Sequence, residues 1–218
     1  MDSQSSPPTR LSDRDRIMPL LLDYLRQLTQ SRRQQVLAIV AYGLPGRNVD
    51  MLRQGLRYEI DRQAERFTAV QWIPLHFPQL RDRLYGNLEY ELETQLAPRP
   101  GEVMQEVFER VAPLASEANR RVLWLDWGLF HAPPSAKREL TLHELQTWLQ
   151  FCSDFLTAHC PRGVRIVSYL AIEAEDCDQL GEFLIAQKDE TWCKRAGFRF
   201  KSLALDSAEQ HTGGDKAR

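Results

Sequence analysis

The 218-residue chain has few cysteines, no long hydrophobic run and no excess of either charge, and each shortage removes a class of protein. Cys152, Cys160, Cys177 and Cys193 contain no C-x-x-C pair and are scattered through the C-terminal third. Disulfide frameworks and zinc ribbons need tight paired spacings, so reduced thiols in a reducing compartment are expected. No apolar run reaches the ~18 residues that span a bilayer. The start, MDSQSSPPTRLSDRDR, has no apolar stretch behind a basic end, so it does not read as a secretory signal, and a cytoplasmic location is the expectation. A net charge of −2 gives no long-range attraction for nucleic acid or anionic membrane, and neither is an expected partner. The basic residues near the N-terminus (Arg10, Arg14, Arg16, Arg26, Arg32, Arg33) alternate with Asp13, Asp15 and Asp23, the pattern of a solvated mixed face.

Motifs of common catalysis are missing too. His76, His131, His143, His159 and His211 show no metal-ligand spacing, and His143–Glu144 lacks the second histidine of H-E-x-x-H. No G-x-S-x-G occurs, so an α/β-hydrolase nucleophile is unsupported. No metal is expected.

What is present is an alternation of helical and extended patterns. Ser12 can cap a helix in which Ile17, Leu20, Leu21, Tyr24, Leu25 and Leu28 recur at helical spacing to about Gln30. Strands are expected at Val36–Tyr42, Phe67–Ile73, Val122–Trp127, Val164–Ile172 and Phe198–Leu205. Between them, helical stripes fall at Met51–Ile60, along Leu84, Leu88, Leu92 and Leu96, over Glu102–Ala118, from Thr141 through Leu156, and at Asp178–Gln187. This alternation predicts an α/β three-layer sandwich: a mostly parallel sheet of about five strands with helices on both faces. Val36–Tyr42 and Val122–Trp127 are the most continuously apolar segments, so they should be central, adjacent or separated by one strand. One domain is expected over residues 12–206, with Ser/Pro-rich and polar disordered tails at 1–11 and 207–218.

The octet after the first strand, Gly43–Asp50 (GLPGRNVD), sits where a phosphate-binding loop belongs. Against G-x-x-x-x-G-K-[ST], Gly43 fits the first position, but Asn48 replaces the second glycine, Val49 the lysine and Asp50 the Ser/Thr. In a working loop, backbone N–H groups hold the phosphates, the lysine reaches the β/γ oxygens and the hydroxyl ligates Mg²⁺. Valine brings no charge, and Asp50 adds a negative one that costs on the order of 4 kcal/mol against a phosphate at ~4 Å and an effective dielectric near 20. The octet reads either as a vestigial loop (Gly43, Gly46, Arg47, Asn48, Val49, Asp50) or as a plain strand-to-helix turn made by Gly43, Pro45 and Gly46. Neither reading predicts catalysis. Arg47 is the only loop residue able to stand in for the lysine, which leaves a weak or atypical nucleotide-binding NTPase as the alternative, beside another α/β enzyme using the carboxyl-edge crevice.

Asp126 in VLWLDW reads as the carboxylate ending a buried strand, either a relic of a Mg²⁺ site or an ordinary strand-ending aspartate. The following Trp127, Gly128, Leu129 and Phe130 provide no catalytic base. Trp127 and Phe130 read as past the strand's end, either exposed as anchors for a protein partner or buried under the next loop.

A first strand, a corrupted loop, a helix and a later apolar strand ending in Asp-Trp together resemble the STAND branch of P-loop NTPases. They are most similar to inactive STAND-like domains of prokaryotic conflict systems. Arg33 and Gln35 leading into the first strand, and the Trp72–Leu75 stretch after the second, add to the resemblance, which covers roughly Leu11 to Leu205. It implies a non-hydrolysing adaptor or scaffold of a defence or signalling assembly, without cofactor, that works through protein partners. The chain departs from active STAND proteins in lacking the lysine, the Ser/Thr and the base. The partner surface expected on this reading comprises Arg47, Asp50, Trp127 and Phe130.

Overall fold

The computed structural model describes residues 13–46, 49–78, 83–114, 120–131 and 138–205. The elements run α1 (Asp13–Gln30), β1 (Val36–Gly43), α2 (Val49–Phe67), β2 (Thr68–Pro74), α3 (Leu84–Leu96), α4 (Met104–Val111), β3 (Arg120–His131) and α5 (Arg138–Phe151). A π-helical turn (Cys152–Leu156) carries α5 into α6 (Thr157–His159), followed by β4 (Val164–Glu173), α7 (Cys177–Gln187), a 3₁₀ turn (Trp192–Lys194) and β5 (Phe198–Leu205). The expected tails at 1–11 and 207–218, and Arg47 and Asn48, lie outside the described residues.

The five strands form one sheet in the order β2-β3-β4-β1-β5, and every neighbouring pair is parallel. β1 and β3 are inner strands separated only by β4. Side chains alternate across the pleat and build two cores. On one face Val36, Ala38 and Val40 of β1, Leu123 and Leu125 of β3, and Ile166 and Leu170 of β4 meet α3, α4, α5 and α7. On the other, Leu37 and Ile39, Val122 and Trp124, and Val167 and Tyr169 meet Ile17, Leu21 and Leu28 of α1 and Leu56 and Ile60 of α2. These strands are buried on both faces, which is why they read as unbroken apolar runs.

Several boundaries differ from the sequence reading; α2 runs on past Ile60 to Phe67, and two others have a cause in the backbone. β3 does not end at Asp126. It continues to His131 through a bulge, where Asp126 pairs with Tyr169 but Leu129 pairs with Ala171. Gly128 supplies the positive φ of 79° at the bulge, a conformation that costs an L side chain about 1–2 kcal/mol. α4 stops at Val111, with Ala112 extended at ψ 140° ahead of Pro113, because the residue before a proline is pushed out of the helical region.

Candidate functional site

β1 delivers the chain to the carboxyl edge of the sheet at Gly43, and α2 begins six residues later. A Cβ on Gly43 would lie 3.0 Å from Leu205 Cβ, 3.2 Å from the Leu205 carbonyl and 3.3 Å from Val49 Cγ2. This glycine is therefore required by the close approach of β5 and α2. Gly46, with φ 78° and open space around it, is required by the turn itself. Val49, at the lysine position, is fully buried against the α1/α2 core.

Asp50, in the first turn of α2, is committed within the molecule. Its Oδ1 accepts from Arg53 Nε at 2.9 Å and its Oδ2 from Gln54 Nε2 at 2.9 Å. The Arg53 guanidinium reaches across to β3, where Nη1 lies 3.4 Å from both carboxylate oxygens of Asp126. Asp126 follows Trp124 by two residues and so faces the same α1/α2 layer; its Oδ1 also accepts from the Gly128 N–H at 3.1 Å. Burial pushes the Asp126 carboxyl above its ordinary range, and the Arg53 charge and these hydrogen bonds draw it back.

In a working P-loop site Mg²⁺ is held by the loop hydroxyl and the strand aspartate. Here a guanidinium spans Asp50 and Asp126, the residues that the sequence reading sets against those two positions. The first turn of α2 already carries the Asp50 carboxylate, a negative charge at the end of the helix that would favour an anion. Beneath lie Trp124 and Tyr169, with ring centroids 5.8 Å apart. Burial, with the Asp126 charge nearby, pushes the Tyr169 phenol well above its usual range.

The expected partner residues are not brought together as one exposed surface. Trp127 is 1% exposed and belongs to the core. Strand parity places it with Leu123 and Leu125 on the α3/α5 face, its Nε1 donates to Ser168 Oγ at 2.9 Å, and its ring stands edge-on to Phe151. Phe130 is half-buried against Phe77 at 5.0 Å. Asp50 is bonded as described, and Arg47 lies outside the described residues.

Among the described residues a concavity lies at this edge on the α3 side of β3, with Gly128 between it and Arg53. A cleft of about 470 Å³ opens over the bulge. Its walls include His76 and Phe77 after β2, Asn87, Tyr90 and Glu91 of α3, and Leu129. Tyr90 is 70% exposed, and Glu91 accepts from the His76 backbone N–H at 2.9 Å. Sequence reading missed this cleft because α3 and the β2 loop meet only in three dimensions. It also missed Arg53, although the Asp50–Arg53 spacing of three residues on a helix was a visible signal. Among the described residues no three His, Cys, Asp or Glu side chains are grouped to hold a metal, and no helix is long and apolar enough to cross a membrane.

No model of a known protein family matches the chain, and no curated protein matches it. Solved structures do. A chain of the Drosophila ORC bound to GC-rich DNA and Cdc6 superposes with a TM-score of 0.51 at 14% identity, over 89% of this chain and 29% of that one. The fold is P-loop NTPase-like. The Aeropyrum pernix ORC2 protein in its ADPNP-ADP complexes gives a TM-score of 0.48 at 17% identity over 93% of this chain and 50% of that one. C. elegans PCH-2 gives 0.39 at 14% identity over 88% and 42%. The chain thus spans less than a third of the Drosophila chain and about half of the archaeal one.

Proposed function

We propose that this P-loop NTPase-like domain neither binds nor hydrolyses nucleotide and works as an adaptor through protein contacts, in a prokaryotic conflict or signalling assembly as the resemblance to inactive STAND-like domains implies. One observation carries the loss of nucleotide chemistry: Arg53 joins Asp50 to Asp126 across the place where a metal would bridge loop and strand. With Val49 buried at the lysine position, the described cation there, Arg53, is already paired with two carboxylates.

The partner surface consistent with the geometry is the cleft over the β3 bulge. Open α/β sheets bind ligands in the crevice at the carboxyl ends of their strands. Here Tyr90 supplies an exposed aromatic, Phe77 and Leu129 an apolar wall with Phe130 packed against Phe77, and Glu91 and His76 a polar rim. Affinity capture from the native host tests this reading. The same partner should be recovered with wild type and with Asp50→Asn, and lost with Tyr90→Glu at an unchanged melting temperature. Retention by Tyr90→Glu would move the interface elsewhere.

A further inference from the structure

The charge of this chain is distributed unevenly. Residues 23–35, 154–165 and 188–201 hold ten Lys and Arg against four Asp and Glu, a local balance of +6 in a chain whose total is −2. These three segments interlock at the amino edge of the sheet, the end away from the Arg53 site. The Gln35 and Val36 N–H groups donate to the Gly197 carbonyl at 2.8 and 2.9 Å. Arg165 Nη2 donates to the Ser31 carbonyl at 2.9 Å, and Ser153 Oγ to the Trp192 carbonyl at 2.7 Å. Arg199 Nη1 donates to Gln27 Oε1 at 3.4 Å. On these hydrogen-bonded segments Arg32, Arg33, Arg162, Lys194, Arg195 and Arg199 are exposed. Their cations are close enough to act on one another: the Lys201 ammonium is pushed below its usual range by burial first and then by the Arg199 and Lys188 charges. Arg195 is paired with Asp154, and Lys194 lies 4.0 Å from Asp189.

We propose that this amino edge is a second binding surface, which takes the sugar-phosphate backbone of nucleic acid. Three observations favour that partner. The exposed cations are mostly arginines, whose planar forks match phosphate oxygens in pairs. The large exposed hydrophobics among the described residues, Leu20, Tyr58, Tyr90, Val103, Leu114 and Ile185, all lie outside the three segments. A protein interface needs an apolar anchor at its centre, whereas a phosphate surface does not. Finally, protection of an exposed sheet edge by basic residues would account for Arg199 and Lys201 on β5, but not for Arg32, Arg33 and Arg162, which lie in loops.

The test is fluorescence anisotropy of the full chain with a fluorescein-labelled mixed-sequence DNA duplex of ~20 base pairs, titrated with salt. The expected dissociation constant at low salt is about 10⁻⁴–10⁻⁶ M, and neutralising three phosphates gives a slope of log affinity against log salt of about −2.7 or steeper. Arg32→Ala, Arg33→Ala and Arg199→Ala combined should flatten that slope and weaken binding at least ~10-fold. If that variant melts lower than wild type, Arg162→Ala with Lys194→Ala provides the same readout from other positions. No binding at ~100 μM protein, an unchanged salt slope in the folded variants, or tighter binding of a poly-glutamate peptide than of the duplex would each overturn the proposal.

Discussion

Arg53 and Asp126 stand 73 residues apart in the chain, one on α2 and the other on the inner strand β3, yet the guanidinium lies 3.4 Å from both oxygens of the carboxylate. Removing the arginine leaves Asp126 largely buried beside Asp50, with its main positive partner gone. Arg53→Met should therefore destabilise the fold by about 2 kcal/mol at pH 7, within the range for breaking partly buried charged hydrogen bonds. Adding Asp126→Asn should recover part of the loss, a coupling that a double-mutant cycle of urea denaturation measures. Simple additivity would show that the two residues do not interact.

The same pair predicts a pH dependence. Burial raises the Asp126 pKa in the folded chain above the unfolded value, and Arg53 holds it down. In Arg53→Met the folded-state pKa rises further, so the folded state binds more protons than the unfolded state in the window above the ordinary carboxylate value. Stability then falls as pH rises through that window. The deficit of Arg53→Met relative to wild type should be largest near neutrality and shrink as pH falls and Asp126 becomes protonated. Thermal melts across pH 4–8 follow it.

Gly43 separates packing from phosphate chemistry. A methyl group there meets Leu205 at 3.0 Å with backbone close behind, so Gly43→Ala should cost about 1–3 kcal/mol by overpacking. At Gly46 the space is open and only the positive φ resists, so Gly46→Ala should cost about 1 kcal/mol. Equilibrium denaturation of the two variants orders them, and a reversed order would contradict the packing account.

Trp127→Ala empties a fully buried site and removes the bond to Ser168, with a cost of about 3–5 kcal/mol, whereas Tyr90→Ala on the exposed wall of the cleft should leave stability within ~0.5 kcal/mol. Denaturation midpoints check both.

All five strands lie within two residues of their expected starts, because inner parallel strands write themselves as apolar runs between helical stripes. Even β5, at the edge, shows its buried Phe198 and Phe200 in alternation with the exposed Arg199. The far end of β3 was not legible: the bulge at Gly128 carries the strand on to His131 with its side-chain parity inverted from Leu129, so the residues after Asp126 looked like a loop although Trp127 faces the core. The residues of Gly43–Asp50 could be read one by one, but the Arg53 bridge could not, since it depends on α2 and β3 facing each other. The charge asymmetry was hidden for a similar reason, as three segments far apart in sequence each look unremarkable beside the whole-chain balance.

The cysteines give a chemical check on burial. Cys152 is fully buried and its thiol is pushed well above the usual range by desolvation, while Cys160 is pushed up to about 12 by the same cause. Native alkylation with iodoacetamide at pH 8 should modify Cys177 and Cys193, which are part-exposed, and spare Cys152 and Cys160 until the chain unfolds. Peptide mass mapping before and after denaturant reads this directly.

The central claim, that the nucleotide site is filled from within, is tested most directly by the melting temperature of the wild-type chain with ATP, ADP or GTP at ~1 mM with and without Mg²⁺. A ligand present at a hundredfold excess over its dissociation constant must stabilise the folded state by about 2.7 kcal/mol. The Arg53 bridge predicts no shift with any of the three nucleotides. A clear, Mg²⁺-dependent rise would contradict it, because the metal and the phosphates would then have displaced Arg53 from Asp50 and Asp126.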